Sequence, residues 1–309
     1  MTKPDDSSLD PEERRAVEER ARRLLDRANA WGRFPTPIED IVAAANLKVA
    51  PKSIFDLEAI AEYLKNKAVE TAVQLKSAVS KLFGVYDSGD SVIHIDESVG
   101  ETKQNFLKLH ETGHHEIPAH RKIFKFFQDC DQTLSPDIAD QFEREANNFA
   151  RFAMFQGDGY AKQAHDHPLA IKTPMRLAKD FGASQYASAR EFARTNHRAC
   201  VVYVLEPAQF TPGYGFVAAV RRVEASESFR KQFGVPTCTQ ITPDHFLGRA
   251  VPMGGRRMSR PITVSLGDLN GQRHECVAEA FDTKRNVLIL LFPKMALGKT
   301  TIILPAKIA

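Results

Sequence analysis

The chain has 309 residues, enough for about two domains, each with a core of its own. With 43% hydrophobic and 26% charged residues and 17 each of Gly and Pro, it cannot be collagenous, fibrous or disordered as a whole. Lys and Arg number 42 against 39 Asp and Glu, and the resulting charge of +3 is too small to argue for a nucleic acid or other polyanion as partner.

The amino terminus, MTKPDDSSLDPEERR, lacks the apolar stretch of a signal peptide. No segment reaches the roughly 18 apolar residues that cross a bilayer, so a cytoplasmic protein without a membrane partner is expected. Between Pro11 and Ala30, early acids precede apolar residues at Val17, Ala21, Leu24, Leu25 and Ala28, which predicts an amphipathic helix. Thr36-Pro37 reads as a cap followed by proline at the first helical position, starting a short helix with Ile38, Ile41, Val42 and Ala45 on one face. An extended LKVA follows, and another helix is expected within Ile54 to Leu64. LFGVYDSGDSVIHID predicts two strands, around Phe83 to Tyr86 and Val92 to Ile95, joined by a turn.

Helical patterns come next at Glu101 to His115, near Lys122 to Phe127, and at Ser135 to Phe155, the last with Ser135 as cap and Pro136 in its first turn. Pro168 to Ala193 predicts a helix pair broken at Phe181-Gly182-Ala183-Ser184. After Ala199 the pattern changes to strands, CVVYVL, GFVAAVRRV, PITVSL, HECVAEAF, NVLILLF and TTIIL, with one helix near Ser226 to Phe233. A domain boundary therefore falls near Asn196. The cysteines, Cys130, Cys200, Cys238 and Cys276, are too scattered for a zinc knuckle or a dithiol site and read as reduced thiols.

His110-Glu111-Thr112-Gly113-His114 fits H-E-x-x-H, in which two imidazoles one helical turn apart can bind one metal with the glutamate beside the attacking water. Phe106 and Leu107 share the histidines' stripe, so the pair faces the core, where unpaired imidazoles are costly. Gly113 costs about 1 kcal/mol in mid-helix, which close approach of another element over this turn would explain. A catalytic zinc needs a third ligand. In FEREANNFARFA, Glu143 lies one turn before Asn147 with Ala146 and Ala150 between, and Asn147 could orient a ligand. Glu145 lies on the stripe of Phe142, Phe149 and Phe152 and is the poorer alternative, which periodicity leaves open. His115, Glu116, His120 and Asp131 sit in or beside the connection, where no periodicity fixes their direction.

A hairpin, HETGHH, and EREANNFA about thirty residues on together resemble the ImmA/IrrE family of zinc metallopeptidases, and PTPIEDIVAAANLKV resembles that family's amino-terminal helix. The resemblance spans about Glu13 to Arg194. It implies His110, His114 and Glu143 as ligands of one zinc ion, for which manganese could substitute, and Glu111 as general base. It departs from the family where the helix runs on as RFAMFQGDGY instead of a leucine-rich segment ending in Met-Pro, which bears on the substrate cleft. The expected fold is α+β: the resemblance implies a mainly helical zincin-like metallopeptidase core with a small β-sheet (1–160) and a helix-turn-helix-like helix pair (161–196), while the β-rich α+β domain (197–309) resembles, in its mixture of strands and one helix, the sensor-like module that follows the peptidase in some family members. The implied activity is zinc-dependent, HExxH-type, gluzincin-like endoproteolysis of a protein substrate. The substrate that the resemblance implies is a helix-turn-helix transcriptional repressor in a stress or mobile-element response.

His120, Tyr86 and Tyr160 are candidates to steady the oxyanion. In MRLAKDFGASQYASAREFA only Gln185, Ser188 and Arg190 could meet base edges, so DNA binding is not favoured. The cluster Arg249, Arg256, Arg257 and Arg260 could bind an anion or an acidic partner surface, while His245 and His274 stand isolated. The competing class is a DNA-binding or signal-binding transcriptional regulator with a vestigial metal site. Nothing in the sequence sets an oligomeric state.

Overall fold

The structure is a computed structural model. It describes residues 8–50, 84–87, 91–95, 98–121, 136–213, 215–253 and 257–294. The helices expected at Ile54 to Leu64 and Lys122 to Phe127, the Ser135 cap, Cys130 and the strand TTIIL lie outside them. Helices and sheets are both present, giving an α+β fold, and the chain divides into two compact units, Met1–Thr195 and Asn196–Ala309. No helix among the described residues is long and apolar enough to cross a membrane.

In the first unit, α1 (Pro11–Arg27) starts at a capping box: the Asp10 side chain accepts from the Glu12 amide at 2.9 Å, and Glu13 accepts from the Asp10 amide at 3.3 Å. Satisfying two otherwise unpaired amides in this way is worth about 1 kcal/mol. Val17, Ala21, Leu24 and Leu25 are buried, and this helix packs on the later helix Pro136–Met154. Helix α2 (Ile38–Ala44) corrects an expectation, because Thr36 does not cap it. The buried Thr36 hydroxyl donates instead to the Met154 carbonyl at 2.8 Å, where the end of another helix leaves an acceptor open.

Three short strands form one sheet in the order β1, β3, β2. β1 (Lys48–Val49) runs parallel to β3 (Val92–Ile95), and β2 (Gly84–Asp87) pairs antiparallel with it. The hairpin expected from the sequence is β2–β3, and the LKVA stretch supplies β1. Helix α3 (Glu101–Glu116) packs against β2 and β3 on one side and against α4 (Pro136–Met154) on the other. α5 (Gly159–His165) has no periodic signal in the sequence. The pair α6 (Lys172–Phe181) and α7 (Gln185–Thr195) breaks at Gly182, whose φ of +68° is the left-handed conformation that ends a helix without a Cβ penalty.

The second unit is a sheet of seven strands. Its main order is β5 (Gln209–Thr211), β6 (Gly215–Ala225), β4 (Val201–Leu205), β10 (Val287–Pro293), β9 (Arg273–Asp282), β8 (Ile262–Gly267), with β7 (Gln240–Ile241) also on β6. Every pairing is antiparallel. β4 is buried at every residue and β10 from Val287 to Leu291, which explains why VVYVL and VLILL read as continuous apolar runs. The outer strand β8 alternates between partly buried and exposed residues. Helix α8 (Glu227–Phe233) closes one face through Phe229, and its cap Ser226 accepts from both the Phe229 and Cys200 amides. Cys200 and Cys276 are free, buried thiols, and burial pushes Cys200 up to about 12, leaving it unreactive.

Candidate metal centre

Burial along α3 deepens towards its carboxyl end. Glu101 and Thr102 are exposed, whereas Leu109 to His114 are all buried. The H-E-x-x-H turn is thus the innermost part of the helix. A Cβ on Gly113 would meet Phe149 of α4 at 3.1 Å from its Cβ and 3.2 Å from its ring, which is the close approach the glycine implied. Ala146 and Ala150 are fully buried on α4 with Phe142 and Phe149, and the small residues let the two helices pack closely.

Glu143 stands at the flank of that face, its side chain 46% exposed, and reaches across both histidines. His110 Nε2 lies 3.2 Å from His114 Nε2 and 3.3 Å from Glu143 Oε2, and His114 Nε2 lies 3.5 Å from Glu143 Oε1. Three ligands of a tetrahedral zinc, each about 2.0–2.1 Å from the ion, stand about 3.3 Å apart. The three side chains therefore fit a shared cation. Among the described residues this is the one group of three or more His, Cys, Asp or Glu side chains close enough to hold an ion.

Charge is unevenly shared in the cluster. Burial alone would lower the His110 pKa, but the hydrogen bond and charge of Glu143 and the charge of Glu111 outweigh it and hold the ring above the usual 6.5. Burial pushes His114 down to about 4, and the neighbouring His110 adds to this against the pull of Glu143. Burial would raise Glu143, yet its hydrogen bonds with both histidines keep it well below the usual carboxylate range. Glu143 and Glu111 thus favour the charged form of His110, while burial favours the neutral form of His114, the form a ligand must have. Glu111 is buried beside His110, and the Asn147 side chain favours the charged form of His110.

Glu145 points elsewhere. Its Oε2 lies 2.9 Å from His120 Nε2, and its Oε1 accepts from Gln141 at 3.1 Å. His120 is fully buried, stacked on Phe142 with ring centres 3.9 Å apart, and its Nδ1 lies 3.0 Å from His114 Nδ1. Glu145 is therefore behind the ligand cluster, not in it. Sequence reasoning missed this link, although a carboxylate on an apolar stripe was itself a signal, since it needs a buried partner.

Other expected site residues fall away from the cluster. His120 as an oxyanion donor is corrected, because both ring nitrogens face His114 and Glu145. Tyr160 is also corrected: it is fully buried, and its hydroxyl hydrogen-bonds the Ser188 carbonyl and Oγ. The Tyr86 side chain and Asp131 lie outside the described residues. Glu116 pairs with Arg27 at 2.7 Å, and His115, half-buried, has its pKa lowered first by burial. On α7, Ser188 is buried and donates to the Pro174 carbonyl, Arg190 lies over the Tyr186 ring, and Gln185 is partly exposed.

In the second unit, Arg249 and Arg260 line a cavity of about 710 Å³ with Phe216, Val251, Met253 and Met258. Arg257 lies over Phe281 instead, Arg256 is outside the described residues, and His274 pairs with Asp268 at 2.9 Å.

No family model matches the sequence, and no curated protein matches it. Among solved structures the chain is similar to a Mycobacterium tuberculosis transcriptional regulator, at 11% identity and a TM-score of 0.48 over 94% of each chain.

Proposed function

We propose that this chain is a zinc-dependent endopeptidase of the ImmA/IrrE type that cuts one regulatory protein, a helix-turn-helix repressor, in a stress or mobile-element response in the cytoplasm. The observation that carries the reading is the spacing of His110 Nε2, His114 Nε2 and Glu143 at 3.2 to 3.5 Å, with Glu111 buried in the same turn. Choice of substrate rests on the resemblance of HETGHH and EREANNFA to that family.

His110, His114 and Glu143 would hold the ion. Zinc bound there would supply Lewis acidity to the scissile carbonyl and lower the pKa of a water towards about 7. Glu111 takes the proton from the attacking water and hands it to the leaving amine nitrogen, so one carboxylate serves as base and then as acid. Depth in the helix packing limits access of bulk water to that carboxylate. β2, at the edge of the sheet among the described residues, has main-chain groups suited to pairing with an extended peptide.

The test is incubation of the purified full chain with candidate repressors, with and without chelator, followed by mass spectrometry of the products. Limited, chelator-sensitive cleavage of one repressor is expected. Glu111→Gln should retain zinc, because Glu111 is not a ligand, and lose at least about 100-fold in cleavage rate. A parent protein that holds no zinc and binds a specific DNA would favour the regulator class instead.

A further inference from the structure

His114 has two ring nitrogens with different neighbours. Nε2 faces His110 and Glu143, whereas Nδ1 faces His120 Nδ1 at 3.0 Å. On its far side His120 meets Glu145, Nε2 to Oε2 at 2.9 Å. The direction of every hydrogen in this chain follows from its last member. An ionised carboxylate can only accept, so His120 carries a hydrogen on Nε2, and a neutral His120 then has Nδ1 as an acceptor, whereas an imidazolium would donate from both nitrogens. Facing a neutral His120, His114 must donate from Nδ1, and its Nε2 lone pair is left facing His110 and Glu143. The other tautomer of His120 would set a ring lone pair against a carboxylate lone pair at 2.9 Å.

We infer that Glu145 and His120 form a positioning relay that fixes the tautomer and ring orientation of His114, so that its Nε2 is presented as a metal ligand. The structure holds the relay stiffly. His120 is fully buried and stacked on Phe142, Glu145 is 13% exposed, and Gln141 donates to the second Glu145 oxygen at 3.1 Å. Gln141 and Glu145 are one turn apart on α4, the helix that also carries Glu143. That helix therefore supplies one group to the cation and another to the back of a histidine ligand. Glu145 and His120 lie on the Nδ1 side of His114, away from its Nε2, so they are positioning residues that act through His114. The inference rests on the zinc-site reading of His110, His114 and Glu143, and not on the choice of substrate.

Two measurements on the full-length protein test it. The first is long-range proton–nitrogen correlation NMR of the imidazole rings in the metal-free parent at pH 7.5, with hydrogen on His114 Nδ1 and His120 Nε2 as the expected result. Hydrogen on His114 Nε2 or on His120 Nδ1 overturns the relay. The second is zinc affinity by chelator competition, with melting temperature recorded for each variant. Glu145→Ala and His120→Ala should each weaken zinc binding by about 10- to 100-fold. Combining them should be no worse than His120→Ala alone, because the two act in series. Glu145→Gln, whose carbonyl oxygen can still accept from His120, should regain part of the loss. Unchanged zinc affinity in a folded Glu145→Ala protein, or additive losses in the double variant, overturns the relay. Failure of the zinc reading shows differently: a parent that binds no zinc but has the expected tautomers supports the relay and rejects zinc as its purpose.

Discussion

The turn from His110 to His114 and the paired strands β4 and β10 are buried to similar depth with opposite chemistry. His110, Glu111 and His114 are 4 to 6% exposed and His120 is fully buried, while every residue of VVYVL and of Val287 to Leu291 that packs in the sheet is apolar. Burying apolar strands is favourable at about 25 cal/mol per Å². Burying imidazoles and carboxylates is costly unless each finds a partner, and the helical unit answers that cost with a connected chain from Glu143 through His110 and His114 to His120 and Glu145. One region thus gains stability from burial, and the other spends it on buried groups spaced so that three of them could hold a cation.

The contrast breaks most sharply at Glu143. Glu143→Ala should abolish stable zinc binding, a loss beyond the 10- to 100-fold expected at Glu145, and should lower the melting temperature of the metal-free protein only modestly, since the half-exposed side chain leaves two buried imidazoles without their carboxylate. Metal content measured after dialysis checks this, and equal zinc in Glu143→Ala and parent would remove Glu143 from the site.

Ile289→Ala inverts that pattern. Ile289 is fully buried in the core cluster of the second unit, between Tyr203 and Ala280 in register, so its truncation should cost about 2–5 kcal/mol of that unit's stability. Zinc content should be unaffected, and denaturant unfolding with metal analysis on the same sample reads both.

A smaller effect concerns pH. His110 is held above the usual 6.5, so below its pKa zinc must displace a proton from that ring; His114, at about 4, offers none. Zinc affinity should therefore fall by about tenfold per pH unit below the His110 pKa and level off above it. Calorimetry in buffers of different ionisation enthalpy should find one proton released per zinc bound on the acid side. No release at pH 6 would contradict the charge distribution.

The smallest expected change is Gly113→Ala. Alanine adds about 1 kcal/mol of helix propensity, but its Cβ would press on the rigid base of the buried Phe149 at 3.1 Å, and overpacking costs about 1–3 kcal/mol. A net loss of about 1 kcal/mol is expected, with weaker zinc binding as α3 is pushed from α4. A more stable variant with parent zinc affinity would show that the two helices have room to spare.

The sequence by itself determined the elements whose pattern is local and strong. Apolar spacing set α1 and α3, the Gly182 break separated α6 from α7, and unbroken β-branched runs marked β4 and β10. It also placed His110 and His114 on one face, because four residues make one turn of helix. Only the tertiary structure decided what those patterns meet. Thr36 binds the end of another helix instead of capping its own, α5 forms without a periodic signal, and β1 joins β3 across more than forty residues of chain. The division of labour between Glu143 and Glu145 was also beyond local pattern. Two carboxylates two residues apart on a helix point in different directions, and which one meets the histidine pair and which meets His120 depends on how α4 is rotated against α3. That rotation is set by Gly113, Phe149 and the buried alanines packing together, a property of two surfaces in contact that neither helix carries alone.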